Sequence, residues 1–385
     1  TLRSLILHLR PVRVPEKAIG FTHTFGLGGM ALVLVLLLVF TGVLMMFAYE
    51  PSPERAWQSI FSFQQDVLFG RLIRGVHHWS ANLLIAVTVL HLLRVFLTGG
   101  FHGRRGLNWL VGLAVLFFIL LSGFTGYLLP WDQTAYWAIT ICTEMLGLVP
   151  GIGQGLQQAV VGGSAIGSAT LINFYALHVA VTPMALAALL SWHFWNIRMA
   201  GGVVLPGGPT GDPRNAHRTV PFMPDLLLKE TVVTLILIAL VLVIAIAFGA
   251  PLGDPANPGI SPNPAKAPWS FLGFQELLIH FDAIFAILVI PLLLEVALVC
   301  VAVLSFVSEI SGDWFLTPLG RRTSVVASVT ALVLVSLWVV IDEYFCGPGG
   351  WLPGSVAMIS NGLIPFALVF GGATGFYMLI RKVFA

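Results

Sequence analysis

Eight long apolar stretches, separated by more polar segments, dominate this 385-residue chain. They run over roughly 28–48, 76–97, 109–129, 172–198, 226–248, 283–307, 324–341 and 361–381. A helix needs about 20 apolar residues to cross a hydrocarbon layer of about 30 Å, and these stretches match that length. Lipid offers no hydrogen-bond partners, so each stretch must satisfy its own backbone and is predicted as an α-helix. The expected fold is therefore all-α, a polytopic membrane protein with eight transmembrane helices.

The segment over 201–224, rich in Gly and Pro and carrying basic residues, reads as a linker. It separates an N-terminal module, 1–200, with four spans from a C-terminal module, 225–385, with four more. The loops over 49–75, 130–171 and 249–282 contain amphipathic stretches suited to a membrane surface, and loops of that length usually bind something. Prolines 255, 258, 262, 264 and 268 should keep the stretch from Asp254 to Pro268 ordered but not helical.

With 57% hydrophobic and 9% charged residues, a water-soluble class is excluded. A net charge of +2 gives no reason to expect nucleic acid. The distribution of positive charge is more informative. The N-terminus, the even-numbered loops and the C-terminus hold Arg3, Arg10, Arg13, Lys17, Arg94, Arg104, Arg105, Arg198, Arg214, Arg218, Lys229, Arg321, Arg322, Arg381 and Lys382. The opposite side holds Arg55, Arg71, Arg74 and Lys266, so both termini are expected to face the cytoplasm. The first twenty residues, basic and broken by Pro11 and Pro15, do not read as a cleavable signal. Cys142, Cys300 and Cys346 lack the spacing of a zinc site or a c-type haem attachment. Free structural thiols are expected, with a Cys142–Cys346 pairing across outer loops as the alternative.

Four histidines alter the picture. His77 and His91 lie fourteen residues apart in the second stretch, and His178 and His193 fifteen apart in the fourth. At 100° per residue the members of each pair differ by about 40° and about 60° in azimuth, so each pair shares one helix face. The rise of about 1.5 Å per residue sets the two depths roughly 21 Å apart, one near each surface of the membrane. Neutral imidazole is a haem-iron ligand, and two per iron give a six-coordinate centre suited to electron transfer. An N-terminal four-helix bundle enclosing two haems is therefore expected. The plainer reading, a polar residue hydrogen-bonded between helices, applies to any one histidine but poorly to four at matched spacing.

Gly28 and Gly42 in the first stretch, and Gly112 and Gly126 in the third, repeat the fourteen-residue interval. Glycine has no side chain to hold a flat macrocycle away, although it also serves close helix packing. Arg74 and Arg94, each three residues from a candidate ligand, are placed for haem propionates or for snorkelling to the interface. His78 is offset by about 100° from His77 and reads as structural.

The segments "RGVHHWSANLL", "LHLLRVFLTGGF", "GYLLPWDQTAYWA" and "FYALHVAVTP" resemble the second to fourth helices of the cytochrome b family of quinol-oxidising bc-type complexes. The fifteen-residue interval is similar to the chloroplast and cyanobacterial branch, and residues from about 215 onward resemble that family's C-terminal module, here fused into one chain. The resemblance implies quinol oxidation in an outer pocket formed by the third helix, the loop after it and the loop before the sixth span. One electron would go to a Rieske iron–sulfur protein. The other would pass through an outer haem on His77 and His178 to an inner haem on His91 and His193, reducing quinone near the cytoplasmic surface with proton translocation. A c-type cytochrome partner, a homodimeric complex and a bacterial cytoplasmic membrane are implied as well.

The outer pocket of that family has a Pro-Glu-Trp-Tyr motif whose carboxylate accepts a proton, and the matching stretch here is Ala267, Pro268, Trp269, Ser270. The resemblance assigns outer-pocket roles to Tyr127 and Trp269, and Glu276 in "GFQELL" is the expected substitute acceptor, with Asp282 or His280 as alternatives. Gly26 stands where the photosynthetic branch has a cysteine holding an extra haem, so no covalent extra haem is expected. Asn173 replaces an arginine that commonly precedes "FYALH". Arg198 and Lys17 match or neighbour the inner quinone site, or serve only as topology-setting charges. Two rival functions stay open: a di-haem membrane anchor for a quinone-linked dehydrogenase or hydrogenase without a Rieske partner, and a transporter using histidines as a proton relay.

Overall fold

The computed structural model describes residues 13–207, 218–262, 266–304, 312–346, 350–352 and 354–384. Arg3, Arg10, Pro11, Arg214, Pro264, residues 305–307 of the expected sixth span and the side chains of Arg381 and Lys382 lie outside the described residues. Among the described residues, eight helices are long and apolar enough to cross a membrane. They are α1 (Leu27–Met46), α2 (Gly70–Leu97), α3 (Gly103–Leu128), α4 (Ser168–Met199), α5 (Phe222–Phe248), α6 (Phe285–Val303), α7 (Pro318–Cys346) and α8 (Met358–Phe376). Helices α2 and α3 each begin six residues before the apolar stretch that predicts them. Their first turns carry Arg71, Arg74, Arg104 and Arg105, which lower hydropathy without breaking a helix.

The chain forms two compact units. The first comprises Thr1–Trp137, Val161–Pro262 and Ala302–Asp313 and contains α1 to α5. Leu34, Leu84, Ile119, Leu186 and Val241, one from each of these helices, belong to one continuous core. Apolar residues also cover the outside, where Leu36, Phe40, Phe117, Met184 and Leu240 are exposed. Apolarity therefore does not separate inside from outside, and close approach between helices takes on the work of association. A β-carbon at Gly75 of α2 would lie 3.2 Å from Ala245 of α5. The fifth span, on the C-terminal side of the expected linker, thus packs within the first unit.

Two strands join distant segments at one end of this unit. Strand β1 (Arg13–Pro15) pairs antiparallel with β2 (Thr219–Pro221), with Arg13 opposite Pro221. Lys229 donates to the Ile19 carbonyl at 3.1 Å, and Arg105 donates to the Ala200 and Gly202 carbonyls. At the other end the proline-rich loop after α5 is pinned from several directions. Arg74, Trp79 and Trp57 donate to the carbonyls of Ala250, Gly249 and Gly253 at 2.9, 2.7 and 2.8 Å. Asp132 accepts from the Gly253 backbone N–H at 3.1 Å, and Gln133 accepts from that of Asn257 at 2.6 Å. The Pro130–Gln133 segment thereby orders the loop, and no helix forms between Phe248 and Trp269 among the described residues.

The second unit comprises Ala138–Val160, Asn263–Val301 and Trp314–Ala385. Helix α7 packs along α8, and a short helix, Leu272–His280, precedes α6. Phe281 stacks on Trp338 at 5.0 Å, and the Asp282 N–H donates to the Asn361 carbonyl at 2.8 Å. Cys142, Cys300 and Cys346 are free thiols, and burial pushes the Cys142 thiol up from its ordinary pKa.

Candidate functional site

Helices α2 and α4 bring the four histidines together in two pairs. The ring centroids of His77 and His178 lie 6.2 Å apart with planes at 67°, and those of His91 and His193 lie 6.5 Å apart at 74°. An imidazole nitrogen binds a metal at about 2 Å, and ring bonds of about 1.3 Å set each centre about 1.1 Å further back. Two imidazoles sharing one ion from opposite sides would therefore have centroids about 6 Å apart, as both pairs do.

The unequal intervals have a local cause. Residues Leu177–Val181 form a π-turn, in which the Thr182 N–H bonds to the Leu177 carbonyl. The wider turn absorbs one residue, so fifteen positions in α4 match fourteen in α2. Pro183 lacks the N–H that a π-turn would offer the His178 carbonyl, and the Thr182 hydroxyl, 3.2 Å away, donates to it instead.

Hydrogen bonds fix the His77–His178 pair. Thr41 Oγ1 lies 2.9 Å from His77 Nδ1 and donates its own proton to the Leu37 carbonyl at 2.6 Å, so it accepts from the ring. His178 Nδ1 donates to the Ser122 carbonyl at 3.0 Å, with Thr125 Oγ1 at 3.4 Å. A proton on Nδ1 leaves Nε2 with the lone pair, the tautomer that a metal ligand requires. Sequence reading passed over Thr41 and Thr125, although a signal exists: "FTG" occurs as Phe40-Thr41-Gly42 and again as Phe124-Thr125-Gly126.

Each of the four predicted glycines faces a different histidine. A β-carbon at Gly28, Gly42 or Gly112 would lie 3.4 Å from Cε1 of His91, His77 or His193, respectively. At Gly126 it would come within 2.5 Å of His178 Cε1, closer than packed atoms approach. The glycines thus line the flanks of both ring pairs.

The other predicted residues are distributed more widely. Arg74 is buried, donating to Gln64, Ala250 and Pro251 at 3.0, 2.9 and 2.7 Å. Arg94, also buried, donates through Nε to the His23 carbonyl at 3.0 Å, with Nη2 3.0 Å from His23 Nε2. His23 Nε2 lies 2.6 Å from the Val204 carbonyl. Burial holds the His23 pKa below its ordinary value; the Val204 hydrogen bond opposes this and the nearby Arg94 charge adds to it. Lys17 and Arg198 are exposed in the first unit, and His78 meets Trp79 edge-on at 5.3 Å. Tyr127 ends α3 half-buried in the first unit, whereas Trp269 and Glu276 belong to the second. Glu276 is 62% exposed and lies 3.8 Å from His280 Nε2.

Residues 15–201 match the family model for cytochrome b/b6/petB. Over 175 residues, 46% of this chain, the chain is 42% identical to cytochrome b6 of Prochlorococcus marinus strain AS9601 and of Synechococcus sp. strain CC9605, covering 80% of each. The chain belongs to the cytochrome b/b6 family. A solved chain of a hyperthermophilic respiratory Complex III aligns with it at a TM-score of 0.75 and 25% identity, covering 98% of this chain and 95% of that one. This cytochrome b/b6 family member is a multi-pass membrane protein of electron transport that carries b-type haem as a subunit of a redox complex. Its residues fit that cofactor: facing imidazoles at the separation one iron requires, Nδ1 of His77 and His178 engaged in hydrogen bonds, and glycine flanks beside each ring.

Proposed function

We propose that this chain is the di-haem cytochrome b subunit of a proton-translocating quinol oxidoreductase in a bacterial cytoplasmic membrane, with both termini cytoplasmic. The observation that carries the reading is the facing imidazole pair, repeated at two depths of one bundle. His77 and His178 would hold one non-covalent b-type haem, flanked by Gly42 and Gly126. His91 and His193 would hold the second, flanked by Gly28 and Gly112. When bound, the haems supply a one-electron path between the two membrane faces.

The side chains do the remaining work. Thr41 and the Ser122 carbonyl orient the outer-side rings. Arg74 and Arg94 stand one helical turn from His77 and His91, where N–H groups not used by the loop contacts suit haem propionates. Tyr127, Trp269 and Glu276 serve quinol on the outer side, with Glu276 receiving a proton in place of the missing motif carboxylate. Lys17 and Arg198 serve quinone on the inner side. A Rieske protein and a c-type cytochrome are the electron-accepting partners, in a homodimeric complex.

A redox-titrated difference spectrum of the purified complex, with haem and iron–sulfur content per chain, tests this reading. Two b-type haems of separate potential plus a Rieske signal are expected. Two haems without an iron–sulfur centre would favour the dehydrogenase or hydrogenase anchor, a reading that Pro268 in place of the motif glutamate supports. Absence of haem would overturn both. Denaturing electrophoresis with haem staining should leave this chain unstained, since Gly26 supplies no thiol and its φ of 66° disfavours any side chain.

A further inference from the structure

Within the second unit, Glu276 belongs to a linked set of polar groups. His280, on the same short helix, is nearly enclosed, with 6% of its side chain exposed, and its Nδ1 lies 2.8 Å from Asp342 Oδ2. Asp342 starts the final turn of α7, and its other oxygen accepts from Trp351 Nε1 at 2.7 Å. Trp338 covers the imidazole from α7 at 5.3 Å. The charged side chains paired with the ring are Glu276 from its own helix and Asp342 from α7.

The proton inventory of this set is informative. With Asp342 ionised, both of its oxygens accept, one from Trp351 Nε1 and one from a proton on His280 Nδ1. Nε2 then presents a lone pair towards Glu276 Oε2, 3.8 Å away. A carboxylate and an imidazole nitrogen that face each other can share one added proton. The arrangement separates an exposed carboxylate, which meets incoming protons, from a buried imidazole that stores them. It also supplies the base that Pro268, at the motif glutamate's position, cannot.

We propose that the proton-accepting group for quinol oxidation is the Glu276–His280–Asp342 network rather than Glu276 alone. Quinol loses a hydroxyl proton as its O–H bond breaks. The proton bonds to Glu276 and passes to His280 Nε2. Each quinol oxidised to quinone gives up two such protons and two electrons, the electrons leaving one each to the iron–sulfur partner and the haem path that the proposed function names. Asp342 is a positioning residue that holds the ring in the receptive tautomer. The ring holds the proton at Nε2 until it returns through Glu276, which is 62% exposed, to solvent, so that the Nδ1–H tautomer is kept throughout. This inference rests on the quinol-oxidising reading.

The test uses the intact complex, measuring quinol-driven haem reduction between about pH 5 and 8. Glu276→Gln and His280→Gln should each slow the reaction about a hundredfold with haem content unchanged. Asp342→Asn should also slow the reaction with haem content unchanged, because the ring loses the acceptor that holds its tautomer, and Asp342→Glu should restore it. Acidification should also produce carboxyl and imidazole infrared difference bands that disappear in His280→Gln. If His280→Gln keeps the normal rate and pH profile while Glu276→Gln is slow, the network is wrong and the lone carboxylate stands. If the unsubstituted complex fails to oxidise any quinol, the functional reading falls and the network with it.

Discussion

Thr41 Oγ1 accepts a hydrogen bond from His77 Nδ1 at 2.9 Å and passes its own proton to the Leu37 carbonyl at 2.6 Å. An acceptor at Nδ1 gives the imidazole anionic character, which favours oxidised iron at Nε2. Thr41→Val removes the acceptor and should raise the midpoint potential of the haem proposed for His77 and His178. A net hydrogen bond of about 1 kcal/mol corresponds to about 40 mV for one electron. Spectroelectrochemical titration checks this, and an unmoved potential for that haem with normal haem content would refute it.

The glycines should not be equivalent. Gly126→Ala forces a methyl group to within 2.5 Å of His178 Cε1, whereas Gly112→Ala places one at an ordinary 3.4 Å from His193. Gly126→Ala should therefore displace the ring and deplete one haem, while Gly112→Ala should retain more of its own. Pyridine haemochrome content of the two purified variants reads the difference. Equal haem loss in both would show that the space beside the ring, rather than the ring itself, sets the limit.

Arg74 is an anchor for the loop after α5, whatever else it contacts. Arg74→Met keeps the apolar stem and strips donors from Gln64 and the carbonyls of Ala250 and Pro251. Leaving buried acceptors unpaired costs about 1–3 kcal/mol, and the variant should lose stability on that scale. Thermal unfolding in detergent measures the loss, and limited proteolysis should show earlier cleavage within 249–262. Arg74→Lys should recover only part, because an ammonium cannot reproduce the guanidinium fork.

Acid should loosen the opposite end of the same unit. The His23 pKa lies below its ordinary 6.5, chiefly through burial. Below pH 6.5 the unfolded chain therefore binds a proton that the folded chain resists, and stability falls with pH until the folded-state value is passed. His23→Gln should flatten this part of the stability profile between neutral pH and the depressed value. Melting temperatures of both proteins across that window decide it, and parallel profiles would exclude His23 as the titrating group.

The length of apolar stretches marked the eight spans, and spacing grouped the four histidines by face and depth, because helical periodicity converts residue intervals into depth and azimuth. Contacts between segments remote in sequence were not legible in that way. Nothing in the sequence pattern pairs Arg13 with Pro221, and apolar content does not say that α5 approaches α2 through Gly75 and Ala245. The arginines show the same limit. Their three-residue offset from the ligands was visible, but the Gln64, Ala250 and Pro251 partners of Arg74 arise only when the loop folds over the helix end. Asp342 lies 62 residues from His280, and no periodicity links an acidic residue at one helix end to a histidine before another.

The π-turn of Leu177–Val181 divides α4 into two rods joined by a slack thread. His178 sits within that turn, its carbonyl tied by the Thr182 hydroxyl, whereas His193 stands on the regular helix beyond it. Helix α2 has no such joint between His77 and His91 and transmits torsion along its length. One partner of each ring pair is thus mounted on a stiff shaft and the other on a jointed one. A disturbance at one face of the membrane can readjust its own ring pair while leaving the alignment at the other face intact.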